Sequence, residues 1–424
     1  MKVRIPYGAQ AQILDQELAD AEVLESGIGN LKAEDTEDNL VKKAMAEPIG
    51  SPKLSELAKG KKNITIIVSD HTRPVPSKHI LPFMLEELRQ GSPDADITLL
   101  VATAFHRASS REELIHKMGE KIVNEEKIVV HNCRSEEDNV EIGVLPSGAH
   151  LVINKLAANA DLLVAEGFIE PHLFAGFSGG RKSVLPGVCS QVTVLGNHCS
   201  KFIASPYSRT GILEGNPIHR DMLEAGRLAK LAYIVNVVVD EEQHVAAAFA
   251  GDFIKAHEAG CAFLKSYCRV QPQQLGDIVI TSNGGAPMDQ NIYQTVKCMT
   301  AAELAIKEGG IMIVCSYSAD GTGGETFYNA IKNCATPQAL LDEIALVPME
   351  ETKPDQWEYQ IMARILNKAH VIYVTQPSLK EIVAEMKMEY APDVNTAYEM
   401  AAARVGKDAH VVVIPNGLSV IVTP

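Results

Sequence analysis

Residues able to move protons or hold an anion fall at three places in this 424-residue chain, each just after a short apolar run. The run at 64–68 leads into Ser69-Asp70-His71-Thr72-Arg73-Pro74, and the run at 97–102 into Thr103-Ala104-Phe105-His106-Arg107. The run at 162–165 leads into a glycine-rich loop, residues 167–183, that carries His172, Ser178, Gly179, Gly180, Arg181 and Lys182, with Gly196-Asn197-His198 beyond it. Histidine titrates near neutrality and suits proton transfer. Arg73 offers a two-pronged donor matched to a carboxylate, with Asp70 placed to orient it, although a simple local ion pair explains that tetrad equally well. The glycines of the loop let backbone amides approach an anion, and the two cations add charge there. Arg181 stands where a nucleotide P-loop needs glycine before its lysine, so the loop is a near miss for that motif. Lys182 is also of a type that links covalently to cofactors. The bland alternative is a surface turn with two solvated cations.

These groups need strands that end side by side. Short apolar runs alternate with amphipathic segments, the signature of βαβ units. Strands are expected at 64–68, 97–102, 127–130, 162–165 and 231–239, then at 278–282, 310–316, 371–375 and 411–415. Helices are expected at 77–90, 220–230, 252–267, 290–307 and 396–405. The polar, turn-forming stretch 271–276 divides the two sets. The fold class expected is therefore α/β, two domains (1–270 and 277–424) with mostly parallel sheets and the active site in the cleft between them. In a parallel sheet the carboxyl ends lie on one edge, which brings the three loops together.

In the second half, Gln294 and Lys297 are three apart on one helix face with Tyr293 beside them, a candidate second set of carboxylate contacts; a solvated polar stripe is the commoner fate of that spacing. Trp357 follows Pro354-Asp355-Gln356, a polar run that predicts an exposed loop and a lid over a small ligand, with core as the alternative. The loop at 320–325 carries Gly321, Gly323 and Gly324 but lacks the third glycine of a dinucleotide fingerprint, which leaves a strand–helix turn.

A formal net charge of −15 argues against nucleic acid or an anionic membrane as partner. The eight cysteines are scattered without zinc-like spacing, and neither a leader nor a membrane span is expected, which points to the cytoplasm. No HExxH or nucleophile elbow occurs. His131, His150, His244, His257, His370 and His410 show no partner pattern, and His219 fits a helix start.

Taken together, residues 69–76, 103–107, 167–187, 197–198, 283–297 and 354–357 resemble the nickel-pincer lactate racemase family over nearly the whole chain. The resemblance implies a nickel-pincer nucleotide, pyridinium-3,5-bisthiocarboxylic acid mononucleotide nickel, tethered to Lys182, with His198 completing the metal's coordination. Soft sulfur, carbon and imidazole donors suit Ni(II). Asp70, Thr72, Ser178, Gly179, Gly180 and Arg181 would line the cofactor. It further implies a 2-hydroxy acid held by Arg73, Lys297, Gln294, Tyr293 and Trp357, with His106 and His172 as the two acid/bases of a hydride relay. Separate biosynthetic enzymes would supply the cofactor. Lactate leads as substrate; a larger 2-hydroxy acid or C2 epimerisation of a sugar acid fits the same scaffold. A non-catalytic cofactor-binding protein needs only Lys182 and His198, and a nicotinamide-dependent dehydrogenase would need a complete dinucleotide site.

Overall fold

The structure is a computed structural model that describes residues 2–15, 21–406 and 408–423. It divides into two compact units: one comprises Gly27–His198 and Ser205–Tyr267, the other Met1–Ser26, Cys199–Ala204 and Cys268–Pro424.

The first unit is built on a six-stranded sheet. Its order is Val245–Gly251, Leu231–Val239, Leu162–Phe168, Asn63–Ser69, Asp96–Ala102 and Lys127–Val130. The last five run parallel, and the Val245–Gly251 edge runs antiparallel to its neighbour. Ile64 to Val68 are buried without interruption, as a parallel strand covered on both faces must be. The helix Leu81–Gly91 turns Leu81, Met84, Leu85 and Leu88 into the core, the spacing of one helical face. Each such leucine removed from water contributes about 2 kcal/mol.

Strand order matters more than strand count here. From Asn63–Ser69 the chain steps outward to Asp96–Ala102 on one side, whereas Leu162–Phe168 lies on the other. The order reverses between Asn63–Ser69 and Leu162–Phe168, and such a switch point at the carboxyl ends is where open α/β sheets bind ligands. The Asp70, His106 and His172 loops all leave that edge.

The second unit has its own six-stranded parallel sheet, ordered Glu389–Ala391, His370–Val374, Ile306–Cys315, Gly276–Ser282, Val411–Ile414 and Glu22–Val23. The helices Ile292–Ala305 and Gln356–Lys368 pack against each other beside it. An N-terminal hairpin, Val3–Tyr7 with Gln10–Leu14, adds Val3, Ile5 and Leu14 to this unit's core.

Two expectations need correction. Trp357 is half-buried in the first turn of the helix Gln356–Lys368, not on an exposed loop. Asp355 enters that turn at φ 63° and Gln356 is 1% exposed, so the polar run is folded inward as a helix start. The Val245–Gly251 strand also lies within a stretch not expected to be extended, because its alanines carry little strand propensity.

Candidate active site

Asp70 holds His106. The buried carboxylate places Oδ2 2.6 Å from His106 Nδ1, and Oδ1 accepts from the Thr72 hydroxyl at 2.7 Å and the Thr72 amide at 3.1 Å. The ion pair with Arg73 that the spacing allowed is replaced by this arrangement; the Arg73 amide donates to Asp70 O at 3.3 Å and its charge acts on the carboxylate. Burial would raise the Asp70 pKa, but the hydrogen bond and charge of His106, with Thr72, hold it below the usual value. A carboxylate on Nδ1 keeps the proton there and presents Nε2 as the basic nitrogen. The His106 side chain is 37% exposed, so that nitrogen is reachable. A cavity of about 260 Å³ opens beside it, lined in part by Thr103, Arg107, His131 and Arg134.

The turns carrying these groups are pinned from below. Glu166, 2% exposed on the neighbouring strand, accepts from the Ser69 amide and hydroxyl at 2.8 and 2.9 Å and from the Ser77 hydroxyl at 3.0 Å. Lys117 donates to the carbonyls of Arg73 and Val75 at 2.7 and 3.3 Å. Ala104 adopts φ 46°, a left-handed conformation costing about 1–2 kcal/mol, and its amide bonds to Gly187 O at 3.1 Å. Neither Glu166 nor Lys117 carried a sequence signal beyond being a charged residue in an apolar or amphipathic segment.

The glycine loop is organised around Arg181. That side chain is fully buried, and its Nε donates to His219 Nδ1 at 3.0 Å. Its Nη1 donates to Gly179 O at 3.1 Å and lies 3.0 Å from His257 Nε2, and its Nη2 donates to Ala175 O at 2.8 Å. Burial lowers its pKa to about 10, so it remains a cation. Burial and the Arg181 charge push His219 down to about 3 and His257 well below its usual value, keeping both rings neutral. These two histidines, which read as unremarkable in the sequence, are the partners that hold the arginine. Gly180 sits at φ +54°, donates to Asn236 Oδ1 at 2.7 Å, and leaves no room for a Cβ, which would meet His257 Cγ at 2.7 Å. Ser178 donates through its hydroxyl to Phe168 O and accepts from the Glu170 amide.

On the other side of this loop four residues meet. The Phe174 ring stands edge-on to His172 at 4.6 Å and to His198 at 5.0 Å, and Lys182 Nζ lies 5.8 Å from its centre. The Phe174 and Ala175 amides point at His172 Nδ1 from 3.5 and 3.3 Å, which assigns the ring proton to Nε2. His198 is buried; burial and then the Lys182 charge lower its pKa to about 3, so its imidazole is neutral.

In the second unit, Asn291 caps the helix that bears Tyr293, Gln294 and Lys297, accepting from the Gln294 amide at 3.0 Å. The Tyr293 hydroxyl donates to Asp355 Oδ1 at 3.1 Å, tying that helix to the turn before Trp357. The 320–325 loop folds onto the same helix start, its Gly321 and Thr322 carbonyls accepting from the Ile292 and Tyr293 amides.

Among the described residues no three His, Cys, Asp or Glu side chains gather into a metal cage, and no helix is long and apolar enough to cross a membrane.

Known proteins share this construction. Residues 7–211 match the lactate racemase N-terminal domain and residues 271–422 the lactate racemase C-terminal domain. Lactate racemases of Thermoanaerobacterium thermosaccharolyticum and Lactiplantibacillus plantarum are each 51% identical over 423 residues, 99% of both chains. The lactate racemase apoprotein structure from T. thermosaccharolyticum superposes with a TM-score of 0.96 over 100% of both chains at 49% identity. A Thermotoga maritima protein shares the fold alone, with a TM-score of 0.64 and 16% identity over 94% of this chain and 100% of its own. With both of its domain types matched and half of its residues identical to two such enzymes, the chain belongs to the lactate racemase family.

Proposed function

We propose that this chain is an isomerase that racemises a small 2-hydroxy acid, lactate foremost, using a nickel-pincer nucleotide made by other enzymes. The observation that carries the reading is the meeting of His172, His198 and Lys182 around Phe174, at the sheet edge that also presents the Asp70-backed His106. The residues fit the cofactor. A buried neutral imidazole offers a lone pair to a metal, and His198 is such a group beside the Lys182 amine. Lys182 would carry the covalent tether and His198 the protein's bond to nickel. Asp70, Thr72, Ser178, Gly179, Gly180 and Arg181 would shape the surrounding wall, Arg181 from within the loop. When bound, the cofactor supplies reversible hydride acceptance.

The chain's own part is to bind, orient and move protons. Arg73 and Lys297 would take the substrate carboxylate, with Gln294, Tyr293 and Trp357 bounding it. His106 Nε2, left with its lone pair by the Asp70 carboxylate on Nδ1, removes the hydroxyl proton of one enantiomer. His172 exchanges the proton for the other. The hydrogen bonds set the two rings in opposite tautomers in the neutral state, His106 protonated on Nδ1 and His172 on Nε2. A substrate centre approached from two sides needs two such groups. The net charge of −15, the cysteines without a disulfide among the described residues, and the small-molecule site fit a cytoplasmic enzyme without nucleic-acid or membrane partners.

The test is the intact mass of protein co-produced with the cofactor-building enzymes, with peptide mapping at Lys182 and chiral assay of lactate. An adduct on Lys182, bound nickel and conversion of either lactate enantiomer to the racemate are expected. An unmodified Lys182 despite working biosynthetic enzymes would overturn the cofactor reading. An adduct with turnover only of polyhydroxy acids would replace lactate by a sugar acid.

A further inference from the structure

The chain passes from the first unit into the second directly after His198, and Cys199–Ala204 belong to the second unit. Within that crossing lies the helix Ser200–Ile203, a single turn. A helix this short does not hold itself in water, because its nucleation is not repaid over so few residues. Packing holds it: Ser200, Phe202 and Ile203 are buried, and the turn lies against the helices Gln356–Lys368 and Pro337–Ala345.

One side chain fixes this turn in place. Gln360 Nε2 donates to Ser200 O at 2.9 Å, 160 residues away in sequence, and both residues are buried. The same carbonyl accepts from the Ala204 amide at 2.9 Å, so the Gln360 bond occupies its second lone pair. Gln360 Oε1 has no partner among the described residues. A bare buried acceptor is a cost that methionine or leucine would avoid. The bond to Ser200 is what the amide supplies and they cannot. Gln360 also follows Trp357 by three residues, on the same side of its helix.

His198 is fixed from the other direction. Its amide donates to Val194 O at 3.0 Å at the end of the helix Gln191–Asn197, and the buried Asn197 donates through Nδ2 to Ile218 O at 3.3 Å. The His198 backbone thus runs between two anchors, Asn197 before it and the Gln360-held Ser200 after it. A buried ring moves with its backbone, and metal affinity follows how firmly a ligand is oriented.

We propose that Gln360 is a positioning residue for the metal ligand: its bond to Ser200 O fixes where the chain leaves His198 and so keeps that imidazole aimed at nickel. This rests on His198 holding the metal, as read above. It places a determinant of metal retention on the helix that carries Trp357. Loss of the bond leaves Lys182 and its tether as they are and lets the imidazole disengage more readily.

The test follows nickel retained per Lys182 adduct while the holoenzyme stands in excess chelator, with nickel read by elemental analysis and the adduct by intact mass. Gln360→Met keeps the side chain's length and removes the donor. Arg364→Met, one turn farther along the same helix, removes both 2.7 Å bonds to Glu303 and leaves Gln360 in place. Nickel should leave Q360M about threefold to tenfold faster than the wild type, less than the effect of losing a ligand's direct partner. R364M should lose nickel at the wild-type rate although its Tm falls. Wild-type retention in Q360M overturns the proposal. Equal acceleration in Q360M and R364M also overturns it, because a loosened helix would then be the whole effect. Should Q360M fold poorly, Gln360→Asn keeps the amide but withdraws it by one methylene; its nickel must leave faster too, or the proposal falls. These outcomes in a loaded protein remove the Gln360 role alone, whereas a wild type that acquires neither adduct nor nickel removes the functional reading beneath it.

Discussion

The two units hold their polar residues by opposite means. In the first, each candidate group stands on a turn whose supports are themselves satisfied: Asp70 by His106 and Thr72, the Ser69 turn by Glu166, and the glycine loop by Arg181, Asn236, His219 and His257. In the second, the corresponding residues project from two packed helices, where Gln356 Nε2 and Gln360 Oε1 lack a partner among the described residues; the first unit has such buried atoms too, among them Asn139 Oδ1, Asn197 Oδ1 and Asp221 Oδ2. Fully bonded networks are rigid, as a metal site and a proton-transfer pair require. The candidate groups of the first unit sit on braced turns and those of the second on packed helices, and substitutions should separate the two.

The largest effect belongs to the histidines. His106→Ala and His172→Ala should each lower kcat by about 10²–10⁴-fold while leaving the Lys182 adduct in place. Intact mass and chiral lactate assays on the same preparations check both halves. Wild-type turnover in either variant would end the two-base reading. Asp70→Asn should also lower kcat, by up to about 10⁴-fold, because one amide oxygen cannot accept from both His106 Nδ1 and the Thr72 donors and the charge behind His106 is lost. Lactate enantiomers have equal free energy, so any loss in kcat/KM must be the same in both directions, and unequal losses would signal an assay artefact. The same residue sets an acid limb of stability. Its folded pKa lies below the unfolded value of 3.8, so its contribution is present above that value and lost as pH falls through the folded pKa. Asp70→Asn should flatten the dependence of Tm on pH there.

The contrast also marks what the sequence could disclose. Strand ends that deliver Asp70, His106 and His172 were legible because apolar runs with β-branched residues declare parallel strands, and parallel strands share an edge. The close match of the strand expected at 127–130 to Lys127–Val130 shows how sharp that signal is. The supports were not legible. His257 is distant in sequence from Arg181, and only the helix Lys255–Cys268 packing under the glycine loop brings its ring to the guanidinium. Glu166 reads as one charged residue in an apolar strand until Ser69 and Ser77 are seen to close over it. Trp357 was misplaced because Pro354 and Asp355 look like loop formers, whereas here they start a helix. Local patterns carry elements and their ends; long-range polar contacts carry the site's rigidity.

Backbone tolerance gives a smaller, stability-level test of the comparison. Gly180→Ala places a Cβ 2.7 Å from His257 at a left-handed φ and should cost about 2–3 kcal/mol. Gly321→Ala in the second unit has the same kind of φ, +67°, but nothing within 4 Å of the new Cβ, and should cost about 1 kcal/mol. Denaturant melts of the two variants decide it. Equal costs would mean that the loop around Arg181 is no stiffer than the loop at 320–325.

The smallest effect expected is at Tyr293→Phe. The ring stays, with its edge contact to Phe327 at 5.2 Å, and the hydroxyl that donates to Asp355 and bonds with Trp357 is removed. Beside the Trp357 bond, the hydrogen bond to the Asp355 carboxylate is worth about 1.5–3 kcal/mol. That bond ties the Lys297 helix to the turn carrying Trp357 and Glu358, so its loss should loosen the substrate contacts more than the chemistry. KM for lactate should rise about threefold to tenfold with kcat within about twofold, the pattern of lost uniform binding. A fall in kcat as large as that from Asp70→Asn would instead place Tyr293 with the proton-transfer machinery and erase the division of labour between the two units.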